Sequence, residues 1–446
     1  MRKLRTMIAT LGAAALLAIS GTGVLAAPAE LSSPAADLRV TLSRLLAEHA
    51  QLAMETMRQG VDTGDLTDPE FTAAAAALDA NTNDLAAAIA SVYGADAGEA
   101  FDTQWTAHIG FFVDYTVGVA TDDQAAMDAA LDELANYRED FSNFLATATE
   151  GGLPADAAAD ALQVHVNTLI DQIDLYAAGD YAAAYEKARE AHAHMYMTAD
   201  ALSLAIAQQD PETFTGNDLA WSPAVDLQLT LDRLLGEHAL IAIEAMRNGL
   251  TGAPDFDASA AALDGNTNDL AAAIASVYGA DAGEAFDAQW TAHIGLFVDY
   301  TVALAGGDTA GQDAALEDLA GYREDFSNFL DTATGGNVPA AGAADALQAH
   351  VNQLVAAIDA YAADDFGAAY ATEREAFEHM FMTGQVLAAG IAGQMPETFP
   401  TSAGMPNTAT RPADGLSPVL LIGLGIAGML TLTLARRARE ARARVG

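Results

Sequence analysis

Along most of the chain, apolar residues recur at i, i+3, i+4 and i+7, the spacing of one face of an α-helix. Runs of Val, Ile and Thr bounded by turn residues, the mark of strands, are missing, so the pattern predicts an all-α protein. In the first half it predicts six helices, at about 36–60, 69–93, 96–119, 122–148, 154–178 and 180–207. Their ends carry local signals. Ser33-Pro34 and Ser222-Pro223 read as an N-cap followed by a first-turn proline, and "TEGGLP" and "TGGNVP" as glycine stops before a proline. Short loops imply antiparallel neighbours, hence up-and-down bundles.

The pattern then repeats. "SPAADLRVTLSRLLAEHA" (33–50) returns as "SPAVDLQLTLDRLLGEHA" (222–239), and "QWTAHIGFFVDYTV" (104–117) as "QWTAHIGLFVDYTV" (289–302). The first copy is four residues longer around "GVDTGDLTDPEF", which marks a surface loop. The expected architecture is two tandem bundles of about six helices each, at 33–214 and 222–399, joined by a linker at 215–221.

The ends follow other rules. Residues 1–27 read as a signal peptide: basic "MRKLR", an apolar stretch, then an A-x-A-like site. A Pro/Gly/Thr-rich stalk (400–416) precedes an apolar segment (417–435) long enough for a transmembrane helix. The basic tail at 436–446 would lie in the cytoplasm. The expectation is an exported, cell-surface protein held by a single membrane span. "MPNTA" (405–409) resembles a sortase sorting signal of the LPxTG kind, with Met for Leu and Ala for Gly.

Composition narrows the function. Alanine-rich and 52% hydrophobic, the 446 residues can bury a large core. Against 62 acidic residues stand 19 basic ones, a formal charge of −43 that repels nucleic acid and anionic lipid. With no cysteine, disulfides, thiolate metal sites and covalent haem attachment are excluded. No Ser/His/Asp grouping or phosphate-binding glycine loop is found, and the expectation is of a non-enzymatic protein.

The histidines carry the candidate chemistry. Eight of nine pair between the copies: His49 with His238, His108 with His293, His165 with His350, and His194 with His379. Only His192 has no counterpart, Phe377 standing there. Each of the four sits on an apolar stripe near mid-helix, such as Leu42, Leu45, Leu46, His49 and Leu52. In an antiparallel bundle, midpoints share a level, so four inward imidazoles per copy could converge. They could equally form a polar layer, each ring satisfied by a carbonyl, Asn or Tyr. "NTNDL" places Asn81 and Thr82 within reach of them, and "YREDFSNFL" suggests a buried Arg–Asp pair at Arg138 and Arg323.

Carboxylate-bearing Glu-x-x-His pairs, as in di-iron bundles, are missing, whereas imidazoles alone suit zinc and copper. "HMYM" and "HMFM" put Met197 and Met382 one turn from His194 and His379, and soft thioethers favour copper. Bis-histidine haem b, flanked by Trp105, Phe111 and Phe112, is the second cofactor.

At "LLAEHAQLAMETMRQG", "WTAHIGFFVDYTV", "ALQVHVNTLI" and "REAHAHMYMTADAL" the chain resembles a secreted bacterial helical domain, often found in proteins labelled copper amine oxidase-like. The resemblance implies that the four histidines of each copy are its characteristic positions. It does not extend to the amine oxidase catalytic domain. Two functions follow as expectations: a surface protein whose histidine clusters bind a transition metal, copper first, or an acidic structural or adhesive spacer. The protein partner stays open.

Overall fold

The structure is a computed structural model, and it describes residues 29–402. Six helices build the first repeat: α1 (Pro34–Thr63), α2 (Pro69–Tyr93), α3 (Ala95–Thr121), α4 (Gln124–Ala148), α5 (Ala155–Ala177) and α6 (Tyr181–Gln209). The linker holds one further turn, α7 (Asn217–Ala220). The second repeat follows with α8 (Pro223–Thr251), α9 (Phe256–Tyr278), α10 (Ala280–Ala305), α11 (Thr309–Ala333), α12 (Ala340–Ala362) and α13 (Phe366–Gln394). No strand occurs among the described residues.

One expected element is corrected. No helix among the described residues is long and apolar enough to cross a membrane, so the expected C-terminal transmembrane helix and the single-pass surface anchor drawn from it are not found among them. Even the longest described helix, α1, carries Asp37, Arg39, Arg44, Glu48, Glu55, Arg58 and Asp62. The stretches read as signal peptide, stalk, sorting signal, membrane span and basic tail lie outside the described residues, save the start of the stalk.

Local chemistry explains the helix starts. The Ser33 hydroxyl accepts from the Ala36 amide and the Ser222 hydroxyl from the Val225 amide, each followed by proline at the first helical position. Consecutive helices pack side by side, and α6 closes back on α1 as α13 closes on α8. Helix α1 also touches α3 and α5, so it runs through the middle of its repeat, and α8 does likewise. Gly98 lets α3 approach α2 closely: a Cβ there would lie 2.7 Å from that of Ala90. Gly283 serves α10 in the same way against Ala275.

The two repeats share one apolar core, in which Leu42, Leu45 and Trp105 join Leu231, Leu234 and Trp290. Charges bind the repeats reciprocally. Arg58 of α1 pairs with Glu244 of α8, and Arg247 of α8 pairs with Glu55 of α1 (3.2 Å) and with Glu373 of α13. Arg189 grips Glu237 through two nitrogens and reaches Asp269, while its counterpart Arg374 grips Glu48 and reaches Asp84. The guanidinium of Arg58 also lies over Tyr185 (4.1 Å), and that of Arg247 over Tyr370 (4.3 Å). Burial, and then Glu373, push the Glu55 carboxyl up to about 8.

Removing one member of such a group leaves an uncompensated buried charge. Arg247→Met should therefore cost about 3 kcal/mol in denaturant unfolding, whereas Lys187→Met, on the surface, should cost at most about 0.5 kcal/mol. Equal effects would show that the buried pairs contribute nothing specific.

Candidate metal centre

Helical periodicity aims one histidine from each of three helices at the same point. His49 comes from the middle of α1, His108 from α3 and His165 from α5. One potential ligand atom from each lies within 4.8 Å of the others, and His238, His293 and His350 repeat the arrangement. The ring centres of His49 lie 5.4 Å from His108 and 6.0 Å from His165; His238 lies 5.3 Å from His293 and 5.9 Å from His350. All six residues are at most 5% exposed.

Aromatic side chains wall the centre. The Trp105 ring sits 4.7 Å from both His49 and His108, and Tyr137 stacks on His108 at 4.8 Å. Phe112 presents an edge to His108 and His165. Trp290, Tyr322 and Phe297 do the same in the second repeat.

Such walls offer few hydrogen bonds. Both ring nitrogens of His49 and His165 lack partners, as does Nδ1 of His108; the second repeat is identical in this respect. Trp105 Nε1 and the Tyr137 hydroxyl are also unpaired, with Trp290 and Tyr322 matching them. Asn81, expected near the histidines, instead donates to the Leu45 carbonyl (3.0 Å) and to Glu48 (2.7 Å), and Thr82 donates to the Leu78 carbonyl. Arg138 meets Gln163 and Arg323 meets Gln348, in place of the expected aspartates.

Burial without partners sets the charge state. Desolvation drives the His49 and His165 imidazoles well below their ordinary value, and their histidine neighbours push the same way. Burial lowers His108 to about 3, the Trp105 carbonyl opposing weakly. In the second repeat His238 falls well below the ordinary value, His293 falls to about 4 and His350 to about 3, burial being the main cause each time. The centre thus presents three neutral imidazoles with free lone pairs, the form in which histidine binds metals.

The fourth histidine does not join. His194 Nε2 lies 2.9 Å from the Ala161 carbonyl of α5, and His379 Nε2 lies 2.9 Å from that of Ala346. Met197 and Met382 stand 42% and 55% exposed, facing away from the centre. The expected set of four histidines and one methionine per repeat is therefore a set of three histidines. Met57 accepts from Thr116 (3.1 Å), and His192 faces Phe377 across the repeat boundary.

A tetrahedral ion with nitrogen ligands at about 2.0–2.1 Å holds those nitrogens about 3.3 Å apart, so modest side-chain rotations close the triad around it. Three imidazoles would leave the fourth position open. The outer nitrogens of His49 and His165 have no protein acceptor and would depend on water.

Because the folded chain holds these imidazoles neutral, the unfolded chain binds protons more readily. Their contribution to stability is complete above about pH 6.5 and is lost as the pH falls through that value. The Tm of metal-free protein should drop between pH 7 and pH 4. The drop should be shallower in a His165→Leu, His350→Leu variant, and parallel curves would show that the rings accept protons freely.

Comparison with known proteins finds no matching family model, no curated relative and no solved structure that matches this chain, so the family resemblance rests on the quoted residues alone.

Proposed function

We propose that the protein binds transition-metal ions, one per repeat, each held by three histidines, and that this binding rather than catalysis is its activity. The observation that carries the reading is the convergence of neutral, buried imidazoles, five of whose six ring nitrogens have no other partner, repeated in both halves. An unpaired buried polar group costs about 1–3 kcal/mol. A purely structural polar layer would contain several such losses in each repeat with nothing to offset them. A metal ion offsets them directly.

The donor set bears on the ion. With Met197 and Met382 turned to solvent, the thioether argument for copper(I) falls away, and a nitrogen-only triad suits zinc first and copper(II) second. Haem b fits poorly: a porphyrin between two of the imidazoles would have to pass through the third and through Trp105.

Metal analysis by mass spectrometry after exposure to zinc, or to copper(II), and dialysis tests this. The expected result is two ions per chain. None should remain in the His165→Leu, His350→Leu variant, and two should remain when His194 and His379 are replaced instead. Equal metal in the first variant would sink the proposal. Leucine in place of unpaired imidazole should also leave the metal-free fold as stable or more stable, by up to about 2 kcal/mol. A clear loss of stability would favour the polar layer.

A further inference from the structure

The two centres are equally buried but differ in the space beside them. In the second repeat a cavity of about 590 Å³ lies between α8, α9 and α10 and is lined by both His238 and His293. Its walls are largely apolar, with Ala242, Met246, Leu263 and Phe297 among them. Acidic Asp257 and Asp264, both exposed, also border it. The volume lies within the range of pockets that take small molecules.

The first repeat closes the same region with one side chain. Phe71 is 6% exposed, while its counterpart Phe256 is 36% exposed. Around Gly60 the Phe71 ring and the Thr116 methyl close in together: a Cβ on Gly60 would lie 3.4 Å from the first and 2.9 Å from the second. Around Gly249 every nearest atom out to 3.9 Å belongs to Phe256, so Thr301 stands further off and the cleft between α8 and α10 is open. The deeper walls agree, Met57 being 1% and Met246 6% exposed.

The four-residue difference in the loop explains this asymmetry. In the longer loop Asp68 caps α2 by accepting from the Glu70 and Phe71 amides, so the helix begins at Pro69 and Phe71 lies within its first turn. In the shorter loop α9 begins at Phe256 itself. Asp255 makes no cap there; its carboxylate accepts from the Tyr185 hydroxyl (2.9 Å) and from Asn248 (3.1 Å) instead. Phe256 is left at the helix end, its ring against Gly249 and partly open to solvent.

Resting on the metal reading, we propose that the second centre alone exchanges a ligand at its open coordination position, through this cavity. That ligand is a small, uncharged, mainly apolar molecule with one nitrogen, oxygen or sulfur donor. The apolar walls select its body, the open position selects the donor atom, and the acidic border with the net charge of −43 turns anions away. The first centre, sealed by Phe71, keeps its ion without exchange.

The test uses protein loaded with cobalt(II), whose visible spectrum reports coordination, and 4-phenylimidazole as the probe. Two cobalt ions should bind per chain, and the spectrum of one should respond, saturating at one probe per chain. Phenylimidazole should bind at least about tenfold more tightly than imidazole, because its ring is buried. Phe71→Ala should raise the stoichiometry from one probe to two, and Ala260→Trp, in the cavity wall, should abolish the response while both ions stay bound. Two bound cobalt ions with no response, or with both responding while Phe71 is intact, would overturn this inference and leave the metal reading standing. A chain that binds no cobalt would overturn both.

Discussion

Desolvation of charge along the two central helices is the constraint on which the rest of the structure depends. Helices α1 and α8 are covered on nearly every side, yet each carries an arginine and glutamates that cannot be left alone in an apolar interior. Much of this neutralisation crosses the boundary: Arg58 finds Glu244, Arg247 finds Glu55 as well as Glu373 of its own repeat, Arg189 finds Glu237 and Arg374 finds Glu48. This reciprocal exchange fixes how the halves sit together. The shared register in turn fixes the depth at which the histidines of α1 and α8 face their neighbours. Glu48 illustrates the coupling, since it is gripped by Arg374 and by Asn81 one residue before His49.

Within that frame the imidazoles are the least economical part of the core. The aromatic walls give most of their nitrogens no partner. Their neutrality is a product of the same desolvation that makes the arginine pairs so strong. One physical condition, exclusion of water, thus acts in opposite senses on the two kinds of residue. It locks cations to carboxylates at the boundary and strips protons from the histidines a few residues away.

Much of this was legible in the sequence, because helix signals are local. The second helix was expected at 69–93 and is found at Pro69–Tyr93, and the capping serines act as read. Face and depth together brought His49, His108 and His165 to one place. They failed for His194, because periodicity tells which side of a helix a ring is on but not which neighbouring carbonyl it meets first. Met197, one turn on, is turned to solvent and brings no thioether to the three histidines. The boundary was missed for a different reason. Glu55 and Arg58 stood on a helix whose other faces were already apolar, a sign that these charges had to be buried. Their partners lie so far along the chain, 186 residues from Arg58 to Glu244, that no local pattern could name them.

The reciprocity of the boundary also bears on descent. Charges that answer each other across a pseudo-twofold axis are what a single repeat would present to a second copy of itself, the self-complementary interface of a symmetric dimer. Covalent linkage frees such an interface from having to match its own image, so the halves can drift apart in compensated steps. Phe377 shows one. Its ring lies where a Cβ on Gly236 would come within 2.6 Å of it, whereas the first repeat carries the smaller His192 together with Ala47 at the corresponding places. The shortened loop before Phe256 is another such divergence. A dimer of identical chains must carry the same loop twice, and so must open both centres or neither. Fusion is what permits one of each.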